Sequence, residues 1–486
     1  MSRKMKKKSN LLKLLGLLVI ALFFHQKHQA QTLGDSTKIT IGDVFKMVYA
    51  NHPIVKQAQF LPELAKMEVR IARGNFDPKF YSGFQEKLFK GTRYYNNLEA
   101  DLKVPVWVGD IKGSFERYRG DFINPLDATP FEGLYTLGYS LPIGQGLLFD
   151  ARRNALRQAQ LMIGMAQADQ IKLINKILLQ VAKDYWDWYF TFRQLLNVDS
   201  TYNLAFIRFE GVKDLVKYGN QSLLDSLEAL NNLQLREIQL QQSKLQFQNA
   251  TLQLSNHFWD DNQQPIQLKE TSYPDFIATN QAILQPKMLD SLLQLAETRH
   301  PEIVIIRLKI DQLGFERRFY REMLKPVVNL EYNVLTFPNN PSNIGSNEYL
   351  RNNYKAGFTV EMPLFLRKER GRLRQTNIKI DQTLLEQTQL IREITNEIRM
   401  SYNDIKTFEL LVRRQRDLVR NNRLMLEGEL ERFRNGESSI FIIIARETTL
   451  INTQLMLVEF EAKYAKATAF LYWSAGLENW LPPYDR

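Results

Sequence analysis

The sequence predicts an α+β fold built twice, in which a few strands feed a very long helical hairpin. Three observations carry this. An alternating segment ends at Leu141-Pro142-Ile143-Gly144-Gln145-Gly146, and from Ala151 the chain reads as one helix for about 65 residues without a proline. At about 1.5 Å per residue that helix is roughly 100 Å long, more than a compact soluble domain needs. It stops at Tyr218-Gly219-Asn220, and the plan returns as Glu361-Met362-Pro363-Leu364-Phe365, a second long helix, and a stop at Arg434-Asn435-Gly436-Glu437.

Taken in order, the chain opens with Arg3, Lys4, Lys6, Lys7 and Lys8, a short apolar run over 11–24 and a polar stretch to Ala30. This is the pattern of a secretory signal peptide over 1–30, too short to span a bilayer as a helix. No other stretch of about 18 apolar residues stands out, so membrane insertion is expected through strands or at a surface. A first helix is expected over 41–74, capped by Thr40 and broken at Asn51-His52-Pro53.

Strands follow over 79–146. Leu98, Ala100, Leu102, Val104, Val106 and Val108 alternate mostly with polar residues, as do Tyr135, Leu137, Tyr139 and Leu141. Aromatics are dense here, and the pattern alone fits either the interfacial girdles of a membrane barrel or the core of a soluble sheet. The helical hairpin is expected over 150–258. Ile171, Leu178, Tyr185 and Phe192 form one heptad row of its long helix, and Ile174, Val181, Trp188 and Leu195 a second. Leu233, Leu240, Phe247 and Leu254, with Ile238, Leu245 and Leu252, mark the returning helix.

The second copy spans 266–480, leaving a tail at 481–486; the first spans 31–265. It has a helix with a break at His300-Pro301, a polar loop at 338–347 between strands over 327–363, and a hairpin over 367–475. The two His-Pro pairs lie 248 residues apart, whereas Pro142 and Pro363 lie 221 apart. The first copy therefore holds about 27 extra residues in its strand region, an extra hairpin or a long loop.

Composition excludes several functions. The first 30 residues hold 7 Lys+Arg and no acid, leaving 57 Lys+Arg against 53 Asp+Glu, interleaved along helices; no nucleic-acid surface is indicated. The chain has no cysteine, which removes disulfides, thiol chemistry and a lipid-modified N-terminal cysteine. His52, His257 and His300 lack metal-ligand spacing. Asp184, Asp187 and Asp199 read as a solvated or tunnel-lining helix face, and the run from Tyr185 to Phe192 as packing. No catalytic residues, cofactor or metal site is expected, and the chain does not read as an enzyme.

The strand-to-helix junctions at Leu141-Pro142-Ile143 and Met362-Pro363-Leu364-Phe365, with tips at Tyr218-Gly219 and Phe433-Arg434-Asn435-Gly436-Glu437, resemble the TolC-type outer membrane efflux protein family over the whole mature chain. The resemblance implies a homotrimer in outer membrane lipid. It implies a shared twelve-stranded β-barrel continuous with a periplasmic coiled-coil barrel of α-helices. It also implies an exit duct for an efflux or type I secretion system, with a periplasmic adaptor and an inner-membrane pump, proton-driven or ABC, as partners.

By the same resemblance the tips form the gate and adaptor contact. Asp225 matches an acidic position of the first tip. The second tip departs, with Phe441-Ile442-Ile443-Ile444 where the family carries acids, so a hydrophobic constriction or simple packing between hairpins replaces an acidic ring. The other architectures compatible with the pattern are a periplasmic coiled-coil scaffold without channel activity and a conventional porin, the latter disfavoured by the helical content.

Overall fold

The computed structural model describes residues 38–219, 221–269, 271–275, 286–336 and 351–477. The predicted signal peptide, the 338–347 loop and the 481–486 tail lie outside these residues.

Helix ends follow local chemistry closely. Thr40 and Asp43 form a reciprocal capping box for α1 (Ile41–Asn51). His52 then caps α2 (Pro53–Arg73), its Nδ1 accepting from the Ile54 N–H at 3.2 Å, with Pro53 at the first helical position. His300 does the same for α6 (Pro301–Glu322), accepting from the Glu302 N–H at 3.3 Å. Both His-Pro pairs are thus breaks between consecutive helices, as the sequence indicates.

The strand region is β2 (Lys79–Phe89), β3 (Thr92–Pro105), β4 (Asp110–Arg119) and β5 (Leu134–Pro142). After the helices come β7 (Val327–Thr336) and β8 (Tyr354–Glu361). They form one six-stranded sheet in the order β2-β3-β4-β5-β7-β8, antiparallel throughout. The extra residues of the first copy are an extra hairpin, not a loop. The sheet holds six strands, two more than the four that each of three chains would give a twelve-stranded barrel.

Two helices run the full length of the chain's tall axis: α3 (Ala151–Lys217, 67 residues) and α7 (Arg367–Arg434, 68 residues). Their returning partners, α4 (Leu223–Ser255) and α8 (Ile440–Ser474), are half as long. The helices form one layer. Towards the tips the order is α4-α3-α8-α7, and towards the sheet it is α2-α3-α6-α7. Two wall positions are therefore continuous and two are made of shorter helices meeting end to end.

The meeting level carries the main apolar core. Tyr185, Trp188, Phe45, Leu254 and Phe258 are buried there, with α1 and the two-residue parallel pair β1 (Lys38–Ile39) and β6 (Tyr273–Pro274) packed alongside. A second cluster joins α5 (Pro286–Arg299) to Ile398, Ile405 and Leu471.

Three sequence expectations change. Ile238, Leu245 and Leu252, read as hairpin packing, are more than half exposed, while Leu240, Phe247 and Leu254 are buried. Asp184, read as solvated, is buried against His257, Oδ2 to Nε2 2.7 Å, because the end of α4 folds onto that face of α3. Ile440–Ser474 is long and apolar enough to cross a membrane by length and composition, against the expectation of no such stretch. It lies along α7 and α3, with Ile443, Ile451, Val458 and Leu471 buried, while most of its apolar window is not buried within the single chain.

Candidate functional site: a two-faced sheet, its junctions and the hairpin tips

The sheet register sorts side chains into two faces. Successive residues point to opposite sides, and directly paired residues point to the same side. One face collects Phe80, Phe84, Leu98, Leu102, Ile111, Phe115, Leu137, Tyr139, Leu330, Tyr332, Phe358 and Val360 through the pairs Phe80↔Leu102, Ile111↔Tyr139, Tyr139↔Tyr332 and Leu330↔Phe358. No helix covers it, and Phe80, Phe84, Leu137 and Phe358 are all at least 60% exposed.

The other face is polar and laced with ion pairs. Lys112 pairs with Glu331 at 2.7 Å, Lys103 with Asp110 at 3.0 Å, and Tyr118 donates to Glu99 at 2.9 Å. A recess of about 520 Å³ opens on this face at the helix end of the sheet, lined by Lys103, Asp110, Lys112, Arg152, Glu322 and Glu331 among others. An apolar sheet face left in water is unfavourable at about 25 cal/mol per Å². A sheet with one apolar and one polar face suits a wall between hydrocarbon and a wet lumen.

The two junctions are built differently. After Pro142 the chain stays paired, with the Ile143 and Gln145 N–H groups donating to Val328 and Pro326 carbonyls, both at 2.8 Å. Gly146 turns at φ +91°, and Asp150 caps α3 by accepting from the Arg153 N–H at 2.9 Å. The buried Arg153 guanidinium donates to Asp150 and to the carbonyls of Gly146, Leu147 and Leu148. Arg152 bridges Asp150 and Asp110. Burial pushes the Asp150 carboxyl up, but the Arg153 N–H and the two guanidiniums outweigh it, and its net shift is downward. After Pro363 there is no such network. Leu366 caps α7 in the left-handed region at φ 49° without a side-chain bond, and Leu364 is 91% exposed.

At the first tip, Tyr218 ends α3 and Gly219 turns at φ +76°. Asp225 is not free there: its carboxylate accepts from the Ser222 N–H at 3.1 Å and hydroxyl at 2.8 Å in the capping box of α4. At the second tip, Gly436 turns at φ +78°, the Gly436 N–H donates to the Phe433 carbonyl at 3.0 Å and the Glu437 N–H to Arg432 at 2.9 Å. Arg434 pairs with Glu431 at 3.1 Å, and the buried Glu429 receives the Ser438 hydroxyl at 2.6 Å.

The apolar run after Gly436 is divided. Ile440 is buried and packs with Val212, Ala229, Val216, Phe433 and Ile444, which brings both tips together, and Ile443 is buried as well. Phe441 and Ile442 are exposed, as are Tyr218, Leu223 and Leu224 of the first tip. Packing between hairpins therefore accounts for Ile440 and Ile444 but not for Phe441 and Ile442. Sequence reasoning missed Arg208 and Arg236, which tie the hairpins above the tips. Arg208 pairs with Glu447, and Arg236 donates to Thr448 at 2.9 Å. Their partners lie over 200 residues away, and no local spacing marks them.

Among the described residues, no group of three or more His, Asp or Glu could hold a metal ion. Residues 292–477 match the family described as outer membrane efflux protein. The chain is similar in structure to the CmeC outer membrane channel of Campylobacter jejuni, at TM-score 0.63 and 14% identity over 90% of this chain and 85% of that one. It is similar to the outer membrane protein VceC of Vibrio cholerae, at TM-score 0.62 and 14% identity over 90% and 96%. It is also similar to the MtrE outer membrane channel of Neisseria gonorrhoeae, at TM-score 0.61 and 12% identity over 90% and 88%. No curated protein sequence matches the chain. The resemblance to TolC-type proteins drawn from the junctions and tips is borne out by the family match and the shared fold.

Proposed function

We propose that this chain, whose residues 292–477 carry the outer membrane efflux protein pattern and whose fold is that of the TolC-type channels, is one subunit of a trimeric exit duct in the cell outer membrane. The observation that carries this reading is the two-faced sheet at one end of helices about 100 Å long. The apolar face meets lipid, the polar face lines the lumen, and the helices extend as a tunnel through the periplasm. Association of copies is supported by the seven-residue row Ile238, Leu245 and Leu252 on α4, which stays more than half exposed among the described residues.

The duct is passive. Energy comes from an inner-membrane pump, proton-driven or ABC, and the tips around Tyr218, Gly219, Asp225, Phe433, Arg434, Gly436, Glu437, Phe441 and Ile442 serve as gate and contact for a periplasmic adaptor. Asp225 supports the cap of α4 rather than a free acidic ring, so the apolar Phe441 and Ile442 are the better candidates for the constriction. Such a ring closes to water by dewetting and opens as the helices part. Nothing in this mechanism makes or breaks a covalent bond.

The test is membrane fractionation followed by gel electrophoresis of unboiled and boiled samples. The expected result is an outer membrane protein running as a trimer when unboiled. A soluble monomer would leave a periplasmic scaffold as the reading.

A further inference from the structure

The sheet has two open edges, β2 and β8, each with a row of unpaired backbone groups. In hydrocarbon an open edge is forbidden, so both must pair. We infer that β2 of one copy pairs with β8 of the next, so that all six strands enter the wall and three copies close an eighteen-stranded barrel. This rests on the exit-duct reading and deepens it, because it fixes the wall's composition and width.

Four observations point the same way. The first is parity. Six antiparallel strands leave β2 and β8 running in opposite directions, so β2 of a neighbour continues the antiparallel order without a break. The second is the two-faced register, which reaches both edges on the helix side of the irregularity at Lys87/Leu88: Phe80 and Phe84 on β2 and Phe358 and Val360 on β8 share the apolar face. A hairpin folded away from the wall would not need this continuity. The third is strand length. β2, β3 and β4 have 11, 14 and 10 residues, enough to cross the bilayer as tilted strands of about 9–11 residues.

The fourth is charge at the seam. β2 starts at Lys79 beside the helices, and β8 ends at Glu361 at the same level. Both lie on the polar face, and neither has an ion-pair partner in its own chain among the described residues. Setting Lys79 opposite Glu361 pairs Tyr81 with Thr359 and Gly83 with Gly357, and on the other face sets Phe80 opposite Val360 and Phe84 opposite Ala356. The inserted hairpin is β3 and β4 with their turn, Thr92 to Arg119, 28 residues, which agrees with the roughly 27 residues by which the two copies differ.

At about 4.8 Å between strands and a tilt of about 40°, eighteen strands make a ring roughly 36 Å across, against roughly 24 Å for twelve. The lumen at the membrane is correspondingly wide enough for bulkier cargo than a four-strand subunit would pass.

The chain has no cysteine, so paired cysteines report the seam cleanly. Tyr81→Cys with Thr359→Cys, and Tyr81→Cys with Gly357→Cys one register step away, would be oxidised in isolated outer membranes and run on boiled non-reducing gels. A disulfide needs Cα atoms within about 7 Å. The expected result is a covalent ladder to the trimer from at least one of these pairs, and none from Lys112→Cys with Thr359→Cys, which would be three strands apart. Bridging of Lys112→Cys to Thr359→Cys alone would overturn the inference in favour of a four-strand seam at β4. Outer membrane trimers bridged by no pair would overturn it as well. A soluble monomer would instead remove the exit-duct reading itself, so the two failures are distinguishable.

Discussion

Arg153 shows how much one side chain can organise at a junction. Its guanidinium is nearly fully buried and satisfies three carbonyls and the Asp150 carboxylate at once. Arg153→Ala leaves those acceptors without donors, and a loss of about 3 kcal/mol is expected, read as a lowered thermal midpoint. Gly476 is constrained by space and by conformation: it turns at φ +65°, and a Cβ there would sit 2.5 Å from His300 Cδ2. Gly476→Ala is expected to cost about 2 kcal/mol or more in the same assay. His52 sets a pH response. Burial, and then the nearby His257, hold its pKa down to about 4. The unfolded value is about 6.5, so the unfolded chain takes up the proton first as pH falls. The stability is complete above about pH 6.5, is lost as pH falls from there to about 4, and levels off below, a loss of roughly 3 kcal/mol. Melting between pH 7 and 4 should show this slope, and His52→Asn, which can still cap α2, should flatten it. None of these three roles was legible in the sequence beyond the His-Pro breaks. Asp184 makes the reason plain: its partner His257 lies 73 residues away, and local spacing along α3 gave only charged neighbours.

Elements were far more legible than contacts. Long proline-free periodicity, Gly at φ above zero after each long helix, and Pro at the strand ends are local signals, and α3, α7 and both turns fall within a residue or two of where they point. What one chain cannot reveal is which apolar row faces its own partner and which faces a neighbour. Leu240 and Leu245 look alike in sequence, yet one is buried and the other exposed. Leu245→Glu is therefore expected to leave the chain folded and to weaken the trimer, seen as a lower dissociation temperature on unboiled gels. The caps of the two returning helices differ as well. Ser222 closes a full capping box, whereas Ser439 makes no side-chain cap bond. Ser222→Ala should raise hydrogen exchange in the first turn of α4, at a cost of about 1 kcal/mol, while Ser439→Ala should leave α8 almost unchanged.

At the scale of the whole molecule, two of the four wall positions are unbroken and two are split at one level. α2 meets the end of α4 where His52 and His257 lie 5.8 Å apart, and α6 meets the end of α8 where Gly476 touches His300. Only α3 and α7 carry covalent backbone straight through that level. The split makes the lower wall a lever with its fulcrum at the two histidines. From there to the tips is about 50 Å of helix, so a swing of only about 5° moves a tip by roughly 4 Å. If the tips form the gate, as proposed above, displacements of this size at the far end of the arm would work it without disturbing the sheet.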